Sequence, residues 1–365
     1  MSRIISIGTA VPQYKSNQSD ILEFMCKAYD NEIASRKLKI LFHSSGIETR
    51  HSAVPDFGKS GTGKKFFADE NQPNIEKRMF KYSETAVGIA VDAIKDSFKK
   101  INSSVEFFGI THLITVTCTA LYAPGIDIEI MEKLNLPHDT ERNSVNFMGC
   151  NAAFPALKIA DKITKAEKNA KVLVVCVELC TLHFQPKYDT DNLLSNTIFG
   201  DGAAAAIMVS NEQAEHLNLK GLSINRFYSA LLKNGKNLMG WHVKPMNFEM
   251  VLNAKVPAFI GEHIQEFIST CEEKLNIKAE SIGKWAVHPG GRRILDEVKS
   301  KLQLSGEKIE FSYQILRENG NMSSPTILFV LSLIMEQDLK PDEKILAAGF
   351  GPGITIDTAL MTYAG

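Results

Sequence analysis

SVNFMGCNAAFPALKIADKI, residues 144–163, combines a short strand pattern, a glycine turn and a run of small and apolar residues at helical spacing. The segment after it, AKVLVVCVEL at residues 170–179, is a continuous apolar run typical of a strand that is buried on both faces. The alanines of the first segment predict a slim helix suited to close packing. Together the two segments predict an α/β unit in which Cys150 lies directly before a buried helix.

A similar order of elements returns in the second half of the chain. The segments are KWAVHPG (284–290), which predicts a strand, GNMSSPTILFVLSLIME (320–336), which predicts a helix, and KILAAGFGPGITIDTAL (344–360), which predicts a strand with a glycine-rich bend. Buried strands that alternate with helices predict α/β layering with a mainly parallel sheet. Because the second helix has almost no polar face, we predict two buried, facing helices inside five layers. The division expected from this repeat is residues 1–215 and 216–365.

Composition and charge exclude several classes of protein. Apolar residues make up 44% and charged residues 23% of the 365 residues, which is typical of a folded globular chain. The formal net charge of -1 provides no global attraction to nucleic acid or to an anionic membrane. The start has no signal-peptide pattern, and no apolar run approaches the roughly 20 residues that span a bilayer. We therefore expect a cytoplasmic protein without a membrane span.

Cysteine usage and local polarity lead to three further expectations. Six cysteines are too few for a disulfide scaffold in so long a chain, and they include no CxxC pair typical of zinc sites. We therefore predict neither a metal nor a bound cofactor. Polar residues with Gly and Pro from 54 to 77 predict an exposed excursion, and Ser83 is a candidate N-cap for the helix that follows.

Three residues of this pattern suit nucleophilic chemistry on an acyl group. Cys150 lies at a predicted helix start, where the dipole and the free N–H groups favour the thiolate and lower the pKa of a thiol. His288 ends a strand at the sheet edge where α/β proteins bind ligands, so it can form an ion pair with the thiolate or donate to an oxyanion. Asn321 adds a second donor for the same oxyanion. Taken singly, a packed cysteine, a backbone-bonded histidine and a capping asparagine remain alternatives.

Five separated motifs extend the pattern. They are GCNAAFPAL (149–157), FGDGAAAAIMV (199–209), VHPGGRRILD (287–296), GNMSS (320–324) and GFGPGITID (349–357). In this order and spacing they resemble the type III polyketide synthases, the chalcone synthase-like family, whereas the first 80 residues match more weakly. The resemblance implies a thiolase-like α-β-α-β-α fold of five layers. A cysteine at position 118 and an apparently short N-terminus are similar to bacterial-type members.

The resemblance also implies roles for individual residues. Cys150 would hold the acyl starter taken from CoA, His288 would activate the thiol, and Asn321 would help His288 to stabilise the enolate formed when malonyl-CoA loses CO2. Phe199 and Phe248 correspond to aromatic gatekeepers between the CoA tunnel and the cavity. The other implied cavity positions are Cys118, Thr119, Cys180, Leu182, His183, Gly240 and Ser323. Several of these depart from the plant pattern, which argues against a chalcone-making cavity.

Members of this family meet the CoA phosphates with basic residues near the tunnel mouth. The candidate CoA-binding residues are Arg36, Lys37, Lys39, Gly290, Gly291, Arg292 and Arg293. Ile40 stands where a further basic residue is expected, so the first three match loosely. The two later arginines follow the glycine turn that lies along the pantetheine arm in relatives, and arginine suits bidentate phosphate contacts. A solvated helix start is the alternative for these arginines.

The activity implied by the resemblance is an acyltransferase reaction, the iterative decarboxylative condensation of malonyl-CoA onto a Cys150-bound starter. Cyclisation to a pyrone, resorcinol or phloroglucinol-type product would follow. The family also implies a homodimer whose substrates are malonyl-CoA and an acyl-CoA starter. Two alternatives stay open: a ketoacyl-ACP synthase III-like condensing enzyme, and a non-catalytic ketosynthase-like partner subunit. The second alternative would be expected to have lost its nucleophile.

Overall fold

The computed structural model describes residues 1–58, 65–67 and 72–365. The strands are β1 (Ser2–Ala10), β2 (Tyr14–Asn17), β3 (Thr49–Ser52), β4 (His112–Thr117), β5 (Glu141–Asn146), β6 (Val172–Leu179), β7 (Asp201–Ser210), β8 (Gly221–Leu231), β9 (Met239–Val243), β10 (Phe248–Leu252), β11 (Lys284–Val287), β12 (Lys344–Gly351) and β13 (Thr355–Ala364). The helices are α1 (Gln18–Tyr29), α2 (Glu32–Ser44), α3 (Ile75–Lys100), α4 (Val105–Phe108), α5 (Ile126–Leu134), α6 (Ala153–Ala166), α7 (Thr190–Ile198), α8 (Asn211–His216), α9 (Val256–Leu275), α10 (Arg292–Lys301), α11 (Gly306–Asn319) and α12 (Thr326–Met335).

Nine of the strands form one continuous sheet in the order β11-β12-β13-β8-β1-β7-β6-β4-β5. Strand β1 joins the two halves, because it pairs with β7 along its length and with β8 through Ser2, Arg3 and Ile4. The expectation of a mainly parallel sheet is wrong for the described residues, since only β4-β5, β4-β6 and β11-β12 are parallel. Strands β6 and β7 are buried along their whole length although they pair antiparallel, so a continuous apolar run does not reveal strand direction.

Three apolar cores separate five layers and confirm the predicted α-β-α-β-α fold. Residues of α1, α2 and α3 pack on the sheet half that contains β6 and β7. Residues of α9, α10 and α11 pack on the half that contains β12 and β13. Between the two halves lie α6 and α12 with the inner faces of both. Helix α6 packs closely through fully buried alanines, although Lys162 and Lys165 at its C-terminal end are exposed. Helix α12 is covered on nearly all sides and is a nearly continuous apolar run.

Local boundaries differ from the sequence patterns in two places. Helix α3 begins at Ile75, where the side chain of Asn74 caps it by accepting the Lys77 N–H, so Ser83 is not its N-cap. The exposed excursion predicted for 54–77 is wrong at Phe57 and Phe67, which are buried and pack edge-to-face, whereas Lys65, Asn74, Glu76 and Lys77 are exposed. The remainder of that excursion, residues 59–64 and 68–71, lies outside the described residues.

None of the helices that the structure describes combines the length and the apolar character needed to cross a membrane. The proposed division at residue 215 stays a prediction, because the sheet runs without a break from one half to the other.

Candidate active site

Cys150 lies in a sharp turn between β5 and α6. Gly149 adopts φ of +83°, in the left-handed region that favours glycine, and its N–H donates to the Cys118 sulfur at 3.0 Å. On the other side, the Asn151 side chain donates to the Asp357 carboxylate at 2.6 Å. The turn is therefore held from both sides. Cys150 is 7% exposed beside the carboxyl ends of the parallel strands.

The surroundings of Cys150 favour the protonated thiol. Burial raises the pKa of Cys150 to about 11, and hydrogen bonds from Ser323 and Asn321 only partly oppose this effect. The predicted lowering of the thiol pKa at a helix start is therefore wrong. Helix α6 begins at Ala153, beyond the cysteine, and desolvation outweighs the free N–H groups of the helix.

His288 follows β11 and extends its pairing, because its backbone N–H donates to the Ala348 carbonyl at 2.8 Å. The ring is buried, and neither Nδ1 nor Nε2 has a hydrogen-bond partner among the described residues. Burial lowers the pKa of His288 to about 3, so the ring is neutral. A side chain bonded to backbone, the alternative expected for this histidine, is not what the structure has. Since buried polar atoms are normally paired, the two ring nitrogens indicate a site that a ligand completes.

Asn321 brings an amide to the same place. Its Nδ2 lies 3.9 Å from the Cys150 sulfur and 3.3 Å from the Gly290 carbonyl, to which it donates. Its Oδ1 accepts the Ser323 N–H at 2.8 Å, which fixes the orientation of the amide. The capping alternative does not apply, because α12 begins later, at Thr326, without a side-chain cap.

These three residues line one small space, which we call the thiol chamber. The chamber shares Cys150 and Phe199 with an inner cavity of about 930 Å³, counting its part open to solvent. It shares Gly290 and Ile294 with a surface groove, which we call the entrance groove. The chamber thus lies between the entrance groove and the inner cavity and shares wall residues with both.

The predicted cavity residues divide into two groups. Those that line the inner cavity are Phe199, Phe248, Cys118, Thr119, Cys180, His183 and Ser323. Phe199 also lines the chamber, as a gatekeeper position requires, whereas Phe248 stacks on His183 with ring centroids 4.5 Å apart. Leu182 and Gly240 do not line these spaces. Leu182 packs in the outer core, and Gly240 lies on β9 between two residues that do reach the cavity, Met239 and Trp241.

The candidates for CoA contacts also divide. Gly290, Gly291, Arg292 and Arg293 line the entrance groove. Arg36, Lys37 and Lys39 do not, although Leu41, Ser44 and Ser45 of the same helix do. The first two are engaged elsewhere: Arg36 pairs with Glu32 at 3.6 Å and the Lys37 ammonium lies 5.1 Å from the Tyr188 ring centre. The helix is thus in the predicted region, but these three basic side chains do not line the groove.

Several residues of the site were missed by sequence reasoning. Ile21, Met25 and Phe57 line the inner cavity from the N-terminal region, where the motifs matched weakly. Their apolar character was indistinguishable from that of core residues. Glu178 is fully buried, and burial raises the pKa of its carboxyl group. Its position inside an apolar strand run was a signal that could have identified it, because a buried carboxyl needs dedicated partners.

Glu178 has such partners on two segments around the cavity. Its carboxyl group accepts the Cys118 N–H at 2.9 Å, the Thr119 hydroxyl at 2.8 Å and the Ser324 hydroxyl at 2.6 Å. These contacts connect β6 to the end of β4 and to the segment before α12. The carboxyl group therefore connects the N-terminal and C-terminal halves of the molecule close to Cys150 and Asn321.

Comparison with known proteins adds independent information. The family models for the N-terminal and C-terminal domains of chalcone and stilbene synthases match residues 1–212 and 224–364. A Mycobacterium tuberculosis protein, "Alpha-pyrone synthesis polyketide synthase-like Pks18", is 29% identical over 98% of this chain and 90% of its own length. "Probable polyketide synthase 1" of Dictyostelium discoideum is also 29% identical, but the chain spans only 11% of that protein. The crystal structure of PKS-I from Ectocarpus siliculosus is 28% identical, with a TM-score of 0.92 over 100% of this chain and 98% of that one.

Proposed function

This chain belongs to the chalcone and stilbene synthase family of type III polyketide synthases, and we propose that it is an acyltransferase that condenses malonyl-CoA iteratively onto an acyl group held by Cys150. One observation carries the proposal: the thiol of Cys150, the unpartnered imidazole of His288 and the amide of Asn321 face one chamber between an entrance groove and an inner cavity. That arrangement supplies a nucleophile, two donors for one oxyanion and space for a growing chain.

The first step that we propose is transfer of the starter from CoA to Cys150. Burial opposes an isolated charge on Cys150 and on His288, so a thiol and a neutral imidazole are the favoured forms. Moving the thiol proton to His288 creates both charges together, and each then stabilises the other. The thiolate attacks the thioester carbonyl of the starter, and CoA leaves as its thiol after protonation.

Condensation uses the same donors. Malonyl-CoA loses its carboxylate as CO2, and the electron pair of the broken bond forms the enolate of acetyl-CoA. An N–H of the His288 ring and the Asn321 amide donate to the enolate oxygen. The enolate carbon then attacks the Cys150 thioester, whose thiolate leaves, and the product is extended by two carbons on CoA. Transfer of that product back to Cys150 allows the next round.

The walls of the spaces suggest how substrates are held. Arg292 and Arg293 at the entrance groove suit the phosphates of malonyl-CoA and the starter CoA, and the Gly290-Gly291 backbone suits the pantetheine arm. Apolar side chains of the inner cavity suit an acyl or polyketide chain. We propose a pyrone, resorcinol or phloroglucinol-type product after cyclisation, a homodimer, a cytoplasmic location and no bound cofactor.

Product analysis without a carrier protein tests the proposal. The wild-type chain is incubated with malonyl-CoA and a panel of short, aromatic and long-chain acyl-CoAs, and Cys150→Ala is the matched control. A cyclic polyketide formed only by the wild-type chain supports the proposal. Turnover restricted to acyl groups on a carrier protein would instead indicate the ketoacyl synthase III-like reaction. A chain that neither loads an acyl group nor releases a product would indicate a non-catalytic partner subunit.

A further inference from the structure

A group of potential metal ligands lies at the amino ends of β4 and β5, whereas Cys150 lies beside the carboxyl ends of these strands. His112 begins β4, and Glu141 begins β5 directly opposite it in the parallel register, so both side chains leave the same face of the sheet. Glu167 follows the last residue of α6. Cys118, which lines the inner cavity, comes just after the far end of β4, so the group is about 20 Å from the thiol chamber.

Distances in this group suit a shared cation better than direct hydrogen bonds. Nε2 of His112 lies 3.7 Å from a Glu141 carboxylate oxygen and 3.8 Å from a Glu167 carboxylate oxygen. Both separations exceed the roughly 3.2 Å limit of an ordinary N–H···O hydrogen bond. Two ligands on one tetrahedral Zn²⁺, each about 2.0–2.2 Å from the ion, lie about 3.3–3.6 Å apart. All three ligand atoms lie within 4.8 Å of one another.

The orientation of the imidazole also fits. The His112 side chain is 3% exposed, and its Nδ1 lies 2.8 Å from the Thr111 hydroxyl oxygen. That hydroxyl is fixed by the backbone of Lys171, because it donates to the Lys171 carbonyl at 3.2 Å and accepts the Lys171 N–H at 2.9 Å. With Nδ1 held at this hydroxyl, Nε2 is the ring atom that faces the two carboxylates. A hydrogen bond at the second ring nitrogen is the usual support of a metal-binding histidine.

Nearby basic side chains do not neutralise the two carboxylates. The basic residues next to them in the sequence bind elsewhere: Arg142 to Asp127, Lys165 to Asp161, Lys168 to Glu212 and Lys171 to the Phe108 carbonyl. Among the residues that the structure describes, this is also the one group of His, Cys, Asp and Glu that meets the spacing for a single ion. Two carboxylates and one imidazole nitrogen thus converge, and these four basic side chains bind to other groups.

We propose that His112, Glu141 and Glu167 bind one divalent transition-metal ion, with Zn²⁺ as the preferred occupant and water as the fourth ligand. The ion would tie edge strand β5 and the end of α6 to β4 and would stabilise the fold without taking part in acyl transfer. The proposal departs from the absence of metal that the sequence predicts. No sequence motif marks the site, because sheet register brings together ligands from three separate segments.

Metal binding to the untagged, chelator-treated chain tests the site. Calorimetric titration with Zn²⁺ should give one equivalent bound, Co²⁺ should give the visible absorption of a tetrahedral complex, and Zn²⁺ should raise the Tm. Glu141→Gln and Glu167→Gln should each weaken binding at least about tenfold, and Glu273→Gln, on the exposed side of α9, should not.

Variants at the two glutamates keep the test independent of folding, because their side chains are 70% and 57% exposed, unlike that of His112. Absence of stoichiometric binding to the wild-type chain would overturn the proposal. Equal binding by the wild-type chain and the double variant Glu141→Gln/Glu167→Gln would also overturn it. Acyl loading of Cys150 should be the same with and without Zn²⁺.

Discussion

The side-chain amide of Asn321 points at the sulfur of Cys150, with nitrogen and sulfur 3.9 Å apart. The backbone of Asn321 also forms an isolated β-bridge with Phe199, and its carbonyl accepts the Gly200 N–H at 3.0 Å. The proposed oxyanion donor is therefore positioned by the segment that carries the aromatic ring between chamber and inner cavity. A backbone shift at either residue would displace the other.

Cys150→Ala should abolish covalent acyl loading, because it removes the sulfur that forms the thioester. Intact-protein mass spectrometry after incubation with an acyl-CoA measures the adduct. Cys180→Ala is the matched control, since Cys180 lines the same inner cavity. An adduct that persists on the Cys150 variant, or disappears from the Cys180 variant alone, would refute the assignment of the nucleophile.

Arg293→Ala should raise the KM for CoA substrates about five- to tenfold and leave kcat nearly unchanged, because a phosphate contact contributes to binding of the substrate and the transition state alike. Lys39→Ala, which removes an exposed charge away from the entrance groove, should leave KM unchanged. Steady-state kinetics with malonyl-CoA separates the two candidate sets. A higher KM for Lys39→Ala together with an unchanged KM for Arg293→Ala would show that CoA phosphates bind at α2.

Met25→Trp should shorten the longest linear acyl-CoA that the protein accepts, because the larger side chain fills part of the inner cavity. Acceptance of short starters should be retained. The overpacking costs about 1–3 kcal/mol, so the Tm is measured in parallel. Ile33→Trp, at an exposed position of α2, is the control. An unchanged starter range in a folded Met25 variant would show that the chain extends elsewhere.

His288 makes the folded protein less stable in acid. Its pKa is about 3 in the folded protein, because burial disfavours the charged ring, and about 6.5 in the unfolded chain. Between these values the unfolded state binds more protons, so the free energy of unfolding falls as the pH falls from about 6.5 towards 3. In His288→Gln the fall in the free energy of unfolding between about pH 6 and about pH 5 should be smaller by about 1 kcal/mol. Urea unfolding of the wild-type and variant proteins at the two pH values measures this difference. An equal fall in the free energy of unfolding in both proteins would contradict the burial argument.

Gly351→Ala should destabilise the protein by about 1–3 kcal/mol, because the new methyl group would collide with the Asn151 amide that anchors the Cys150 turn. Gly88→Ala provides the opposite case. Gly88 is exposed within α3 with open space around it, so alanine should stabilise the helix by about 0.5–1 kcal/mol. Thermal unfolding of both variants compares the effects, and a neutral Gly351 variant would show that the turn adapts.

Part of the fold could be predicted because it depends on local patterns. The alanines predicted a slim α6 suited to close packing, and the almost missing polar face predicted that α12 is covered on both sides. Strand direction could not be predicted in the same way, because burial on both faces produces the same apolar run in parallel and antiparallel pairs. The N-cap of α3 was missed because Asn74 lies in a polar stretch that reads as a loop.

The sequence by itself determined the fold class and the three residues that meet in the thiol chamber, because their motifs occur at the ends of predictable elements. Only the tertiary structure decided their ionisation, since burial of Cys150 and His288 depends on segments distant in the sequence. It also decided that Arg292 and Arg293, not Arg36 and its neighbours, line the entrance groove. Helix orientation and sheet register determine where these side chains and that of His112 lie. Neither helix orientation nor sheet register is encoded in a local sequence pattern.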